Sequence, residues 1–343
     1  MITIKEIARK LDLSPTTVSN VIRGKTGEVS SETIKRVQKF LEEVDYVPNI
    51  SARNLAQNES RIIGVVLKML DYKYDNIFKD PFVSEMIGGI EKAVRKAGYF
   101  MMLYISNDIA EILKHISTWN VDGLILFCML DDDGIRVKKK YRKNVVCIDT
   151  YVSDDVLKMY PDSFVNVGLD DEDGAYQGTR YLLECGHRKI GFLANTRDGV
   201  DLHRFRGYRK ALDEFGVEYS DFDFFHLRAE LDEIDKSFEK LARRSKDYTA
   251  VFCCSDLYAV RFINECEMIG IHEPDDLSVV GFYDNYCGAL CRPPLTTIHQ
   301  DAEYKGVLAA RTLIDLIHGK SPEKNQMVLK PTLVIRESVK KLI

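Results

Sequence analysis

Apolar positions follow two regimes along the chain. Between residues 4 and 44 they recur at helical spacing in three short stripes: Ile4, Ile7, Ala8 and Leu11, then Val18, Val21 and Ile22, then Ile34, Val37, Leu41 and Val44. From residue 61 onward, continuous apolar runs alternate with amphipathic stretches. The runs are Ile62–Leu67, Tyr99–Ile105, Val121–Phe127, Val145–Ile148, Phe164–Val167, Ile190–Ala194, Phe224–Leu227, Ala250–Cys254 and Val279–Phe282. The helix-like stretches lie near 84–97, 171–184, 204–215, 231–244, 256–268 and 301–318. Unbroken apolar runs suit strands buried on both faces. Their alternation with helices implies parallel sheets joined by right-handed crossovers. Nine or more strands divide more readily into two sheets than one, with a boundary expected near Tyr160-Pro161-Asp162-Ser163. The expected architecture is a small all-α head followed by an α/β core of two doubly wound parallel-sheet subdomains.

The punctuation of the first 46 residues sharpens the head. Thr3-Ile4-Lys5-Glu6 has the T-x-x-E form of a capping box. Asp12-Leu13-Ser14 makes a short turn, with Ser14 as N-cap and Pro15 at the first position of a second helix. Gly24 to Gly27 ends that helix, and Ser30 or Ser31 caps a third, which stops before Tyr46-Val47-Pro48. Two short helices joined by a three-residue turn, covered by a third, is a helix-turn-helix plan. The second helix then presents Pro15, Thr16, Thr17, Ser19 and Asn20. Asparagine can pair bidentately with adenine. Thr17 and Ser19 suit phosphates, which position a protein without specifying sequence. A three-helix protein-interaction module would carry the same pattern.

Composition changes this picture in one respect. The 343 residues carry a net charge of −5, which does not by itself suggest nucleic acid. The charge is unevenly spread, however. Residues 1–41 hold eight Lys/Arg against four Asp/Glu, whereas residues 61–343 hold 39 against 45. Phosphate binding needs local, not global, positive charge. Apolar residues at 45% and charged residues at 29% describe a globular chain. No run reaches the ~18 apolar residues of a membrane span. Lys5 and Glu6 stand where a secretion signal needs its apolar stretch, so a cytoplasmic protein is expected. None of the eight cysteines forms C-x-x-C, which argues against a zinc module or a disulfide scaffold.

The run TIKEIARKLDLSPTTVSNVI, followed by VSSETIKRVQKFLEEVDYVPNISARNLAQ, resembles the LacI/GalR family of bacterial transcription regulators. The resemblance rests on T-I-x-[DE]-[IV]-A, S-x-x-T-V-S-x-[VA]-[IL], V-S-x-x-T and Y-x-P-N-x-x-A-R-x-L in that order. Asp12 stands where the family often has Gly, Ile34 where Arg is usual, and the Gly24–Glu28 loop is one residue long against some members. The family implies three parts: a DNA-binding head (1–46), a hinge helix (47–60) and an effector-binding, dimerising core (61–343). The core should be periplasmic-binding-protein-like, with one subdomain at about 61–162 and 292–322 and the other at about 163–291 and 323–343. Asn49 to Ala56 could form two helical turns, too short to be stable alone. By resemblance this segment folds on the operator, with Leu55 wedged into the minor groove and Ala52 beside it. The DNA-contact set is then Thr3, Ser14, Pro15, Thr16, Thr17, Ser19, Asn20, Tyr46, Asn49, Ala52 and Leu55.

Resemblance extends into the core through Asp80-Pro81-Phe82, Gly186-His187-Arg188, Arg206-Gly207-Tyr208, Ser255-Asp256 and Pro293-Pro294-Leu295-Thr296-Thr297. It implies an effector cleft, for a sugar or related metabolite, involving Phe82, Asp149, Arg204 and Ser255. The family usually has Asp after the Gly-Phe that here is Gly281-Phe282. Tyr283 holds that place and Asp284 follows, so either could take the role. The family's Gly-Asp-Trp/Phe segment is missing, with His226-Leu227-Arg228-Ala229 near its place. A phosphoprotein co-regulator is a second kind of partner found in the family. Two-fold operators mirror protein symmetry, so a homodimer is expected, and no leucine-heptad tail suggests a tetramer. No metal, cofactor or catalytic residue is expected, since no sequence constellation supplies nucleophile, base and oxyanion donors together. The function expected is therefore operator binding, most often repression, under effector control. The alternative is a solute receptor or sugar-converting enzyme with a helical interaction module.

Overall fold

The structure, a computed structural model, describes residues 2–46, 59–68, 76–127, 129, 131–150, 165–227 and 233–343. The chain separates into two compact units, residues 1–60 and 61–343.

The first unit holds α1 (Ile4–Leu11), α2 (Pro15–Ile22) and α3 (Ser31–Glu43). Ile7, Ala8, Val18, Val21 and Val37 form its core. The Thr3–Glu6 capping box closes α1, and Ser14 and Ser30 cap α2 and α3. Asp12 ends α1 in the left-handed region at φ 52°, which turns the chain sharply into α2. Arg36 Nη2 donates to the Leu11 carbonyl at 3.0 Å, tying α3 to the end of α1.

The second unit contains two six-stranded sheets. The first comprises β1 (Ile62–Lys68), β2 (Phe100–Ser106), β3 (Gly123–Phe127), β4 (Asn144–Ile148), β5 (Val165–Leu169) and β11 (Gln326–Leu329), in the order β11-β5-β4-β3-β1-β2. The second comprises β6 (Ile190–Ala194), β7 (Phe224–His226), β8 (Ala250–Cys253), β9 (Ser278–Tyr283), β10 (Thr296–His299) and β12 (Thr332–Val334), in the order β12-β10-β9-β8-β6-β7. All pairings are parallel except β10–β12. The helices are α4 (Pro81–Lys96), α5 (Ile109–Ile116), α6 (Asp131–Lys140), α7 (Asp171–Glu184), α8 (Gly199–Glu214), α9 (Ile234–Arg244), α10 (Asp256–Met268), α11 (Tyr286–Leu290) and α12 (Ala302–Ile317). Every residue of β3, β5 and β6 is buried, as two-sided packing requires.

Helix pairs approach closely at glycines. A Cβ on Gly89 of α4 would sit 2.2 Å from the Glu303 carbonyl oxygen of α12, and one on Gly306 would sit 2.2 Å from that of Met86. Gly207 of α8 lies against α7 in the same way, 2.0 Å from the Glu172 carbonyl oxygen.

The chain changes sheet at three places that differ from the expected boundaries. β5 pairs with β4 through Val146↔Val165, so the first crossing follows Leu169 and not residue 162. β10 pairs with β9 through Thr296↔Val280 and belongs to the second sheet, although 292–322 was expected in the first subdomain. β11 pairs with β5 through Gln326↔Asn166 in the first sheet, although 323–343 was expected in the second subdomain. These strands have three to five residues, and their ladders, not an apolar run, decide their sheet.

Candidate functional site

In the head, capping and reading draw on different side chains. The Ser14 hydroxyl lies 2.8 Å from that of Thr17 and accepts from the Thr17 amide at 3.0 Å. The Thr3 hydroxyl donates to Glu6 at 2.9 Å, and a second bond from the Thr3 amide holds the Glu6 carboxyl below its usual range. Thr3, Ser14 and Thr17 therefore shape helix ends. Pro15 and Thr16 are exposed on the first turn of α2, with Ser19 and Asn20 half-buried one turn on. Tyr46 packs against the head core. Asn49, Ala52 and Leu55 lie outside the described residues.

In the core, both sheets have the strand order in which ligands sit beyond the carboxyl ends of the strands. The expected residues converge there. Asp149 follows β4 at φ 49°. Phe82 stands in the first turn of α4, where Asp80 caps the helix by accepting from the Phe82 amide at 3.0 Å. Arg204 projects from α8, and Tyr283 ends β9.

Two buried ion pairs organise this region. Lys305 of α12 is 1% exposed, and its ammonium donates to Asp149 Oδ1 at 2.8 Å, Asp149 Oδ2 at 2.9 Å and Gln300 Oε1 at 3.0 Å. Burial pushes the Asp149 carboxyl above its ordinary range, and Lys305 works against that shift. Arg204 donates from Nε to Asp171 Oδ1 at 2.7 Å and from Nη1 to the Cys254 carbonyl at 2.6 Å. Its Nη1 also reaches the Tyr283 hydroxyl at 3.3 Å.

The rings meet between these pairs. Phe82 and Tyr283 stack with centroids 5.0 Å apart and planes at 12°. Lys305 Nζ lies 5.1 Å from the Phe82 centroid, and the Arg204 guanidinium lies 4.9 Å from that of Tyr283. Asp284 is directed elsewhere: its Oδ2 faces His299 Nδ1 at 3.1 Å and its Oδ1 pairs with Arg336. Tyr283, not Asp284, thus shares the site with Arg204. Ser255 is buried at the start of α10 without capping it, next to the Cys254 carbonyl that Arg204 uses. His226 bonds the Asn195 carbonyl at 2.8 Å, while Arg228 and Ala229 lie outside the described residues. Among the described residues no group of three or more His, Cys, Asp or Glu could hold a metal ion. None of the described helices is long and apolar enough to cross a membrane.

A family model for bacterial regulatory proteins of the lacI family matches residues 3–49, and one for a periplasmic binding protein-like domain matches residues 179–339. The HTH-type transcriptional repressor PurR of Aliivibrio salmonicida (strain LFI1238) is 32% identical over 349 residues, covering 100% of both chains. The chain belongs to the lacI family of bacterial regulatory proteins. Another relative, the ribose operon repressor of Haemophilus influenzae (strain ATCC 51907 / DSM 11121 / KW20 / Rd), is 30% identical over 345 residues, covering 99% of each. The lac repressor dimer bound to operator and the anti-inducer ONPF shares the fold, with a TM-score of 0.83, 22% identity and 99% of each chain covered.

Within this lacI-family site, sequence reading missed Lys305, Asp171 and Gln300. Lys305 did leave a signal. It falls on the buried stripe Ala302, Lys305, Gly306, Ala309, Ala310 and Leu313 of α12, where a lone cation needs a partner. Asp171 is one of three acids in the first turn of α7, and Gln300 carries no pattern at all.

Proposed function

We propose that this protein is an operator-binding transcriptional repressor, acting as a homodimer on a pseudo-palindromic site and controlled by a small polar effector in the cleft. One observation carries the reading: α2 begins on an open polar turn, Pro15-Thr16, with its capping hydroxyls already engaged and Asn20 one turn on. Such a helix inserts its N-terminal end in the major groove, and Thr16 and Asn20 are the side chains that read bases there. One relative is named a ribose operon repressor, which supports a sugar or related metabolite as effector. Asp149 and Arg204 are the polar groups that would orient it, with Phe82 as the stacking wall. Ser255 would complete the polar rim.

The hinge is part of the same proposal. Leu55 is the minor-groove wedge, with Ala52 beside it, Asn49 and Tyr46 at the entry, and Thr3 and Ser19 on phosphates. The test is fluorescence anisotropy against an operator selected from random duplexes. Leu55→Ala should weaken operator binding at least about tenfold more than binding to unrelated DNA, because only the kinked specific complex uses the wedge. Equal losses on both DNAs would remove the wedge. Binding to the selected duplex without salt dependence or sequence preference would remove the operator function itself.

A further inference from the structure

We propose that Tyr283 is an internal occupant of the effector cleft, and that its ring latches the two subdomains closed in the absence of ligand. This rests on reading the cleft as the effector site. Four groups form one column across it: the Lys305 ammonium, the Phe82 ring, the Tyr283 ring and the Arg204 guanidinium. The successive spacings are 5.1, 5.0 and 4.9 Å. Lys305 and Phe82 belong to helices packed on the first sheet, Tyr283 and Arg204 to the second subdomain. The ring contact therefore bridges the halves, and Tyr283 packs against the apolar cores of both. A flat ring held between an aromatic wall and a guanidinium is the environment a stacked ligand would occupy.

Two further features fit an occupant and not a wall. Tyr283 has φ 116° and Asp284 φ 63°, both in the region that disfavours side chains. Such strain persists only where surrounding contacts over-determine it. The charged groups are also already matched, Lys305 with Asp149 and Arg204 with Asp171. Closure therefore leaves neither cation waiting for a ligand. Gln300 joins the latch to a crossing between subdomains: its backbone N–H donates to the Tyr283 carbonyl at 3.4 Å, and its side-chain Oε1 accepts from Lys305 at 3.0 Å. An effector must displace the Tyr283 ring to reach Phe82, so binding and unlatching are one event.

Tyr283→Gly in the full chain tests this, because glycine relieves the backbone and leaves a ring-shaped space that p-cresol can fill. Hydrogen exchange should rise about tenfold in peptides 79–90 and 281–300. Millimolar p-cresol should restore protection and raise Tm by about 2 °C or more, with no effect on the natural protein. Tyr283→Phe keeps the stack and should stay protected. Should the glycine variant fail to fold, Phe82→Ala breaks the same stack from the other side and should expose 281–300. Natural-level protection in the folded variant, with no response to p-cresol, overturns the latch. Operator anisotropy on the same samples separates the readings: loss of specific binding by the natural protein would sink the regulator function while the exchange result still judged the latch.

Discussion

Replacing Lys305 with methionine leaves a buried carboxylate without its counter-ion. Methionine keeps the length and apolar stem of lysine, so the change is the loss of one charge and three donors. Those donors serve both oxygens of Asp149, at 2.8 and 2.9 Å, and Gln300 Oε1 at 3.0 Å. The carboxylate would remain buried without its counter-ion, and removing one partner of a buried pair costs about 3–5 kcal/mol. For a unit of this size that is a Tm drop of roughly 6–15 °C, read by circular dichroism. Adding Asp149→Asn to Lys305→Met should recover most of the loss, because replacing both partners leaves no orphaned charge. The pH dependence follows from the direction of the Asp149 shift. Burial already raises its carboxyl above 3.8, and losing Lys305 raises it further. A raised carboxyl makes the native state bind more protons than the unfolded chain, so stability falls as pH rises through that interval. The deficit of Lys305→Met should therefore be largest near pH 8 and shrink towards pH 5. A drop below about 2 °C, or a double variant no better than the single, would refute the buried-pair reasoning.

Three other substitutions probe separate parts of the molecule. Gly207→Ala drives a methyl group to 2.0 Å from the Glu172 carbonyl oxygen, so α7 and α8 must separate. The expected cost is about 3 kcal/mol or more, read by urea titration, and a loss under 1 kcal/mol would mean the helices slide apart freely. Asp256 is buried where Thr297 and Asn285 donate to it, and burial raises its carboxyl to about 7. Between its ordinary value and that one the native state holds the extra proton, so its contribution weakens as pH rises. Asp256→Asn should gain about 5 °C in Tm on the natural protein between pH 5 and pH 8, and parallel profiles would contradict the shift. Asn20→Ala should flatten preference at one half-site base pair, lowering discrimination by about 1–3 kcal/mol in a panel of operator variants. An unchanged profile would remove Asn20 from base reading.

What could be read in advance followed the strength of local signals. Capping chemistry placed Thr3 and Ser14 at the starts of the first two head helices and narrowed the third cap to Ser30 or Ser31, of which Ser30 is the cap, because a cap depends on neighbours three residues away. Long apolar runs located β1, β6 and β8, since burial on both faces leaves no alternation to misread. The crossings failed for the opposite reason: β10, β11 and β12 are three or four residues long, with polar neighbours and identities set by distant ladders. α11, five residues long, was missed similarly. In the cleft, Phe82, Asp149 and Arg204 were reachable through motifs. Their partners Lys305 and Asp171 lie 156 and 33 residues from the groups they neutralise, and no local pattern encodes such a pairing.

The placement of those partners bears on how the cleft could work as a switch. The chain passes between subdomains at Asp170, at Gln300-Asp301 and at Lys330-Pro331, between the strands and helices that define each half. Each crossing is held by a group tied to the cleft or to another crossing. The Asp170 amide donates to the Leu329 carbonyl at 3.0 Å, coupling the first crossing to the third. Asp171, one residue on, holds Arg204. Gln300 holds both Tyr283 and Lys305. A rotation of one half against the other changes backbone angles at these few residues, as hinge closure does. It must therefore also disturb the Phe82–Tyr283 ring stack and the Gln300–Lys305 hydrogen bond, whereas each ion pair lies within one half. Stacked rings and buried hydrogen bonds lose their energy over a short displacement, so intermediate openings are disfavoured and two arrangements are preferred. That bistability is what a ligand with unequal affinity for the two arrangements needs in order to act as a switch.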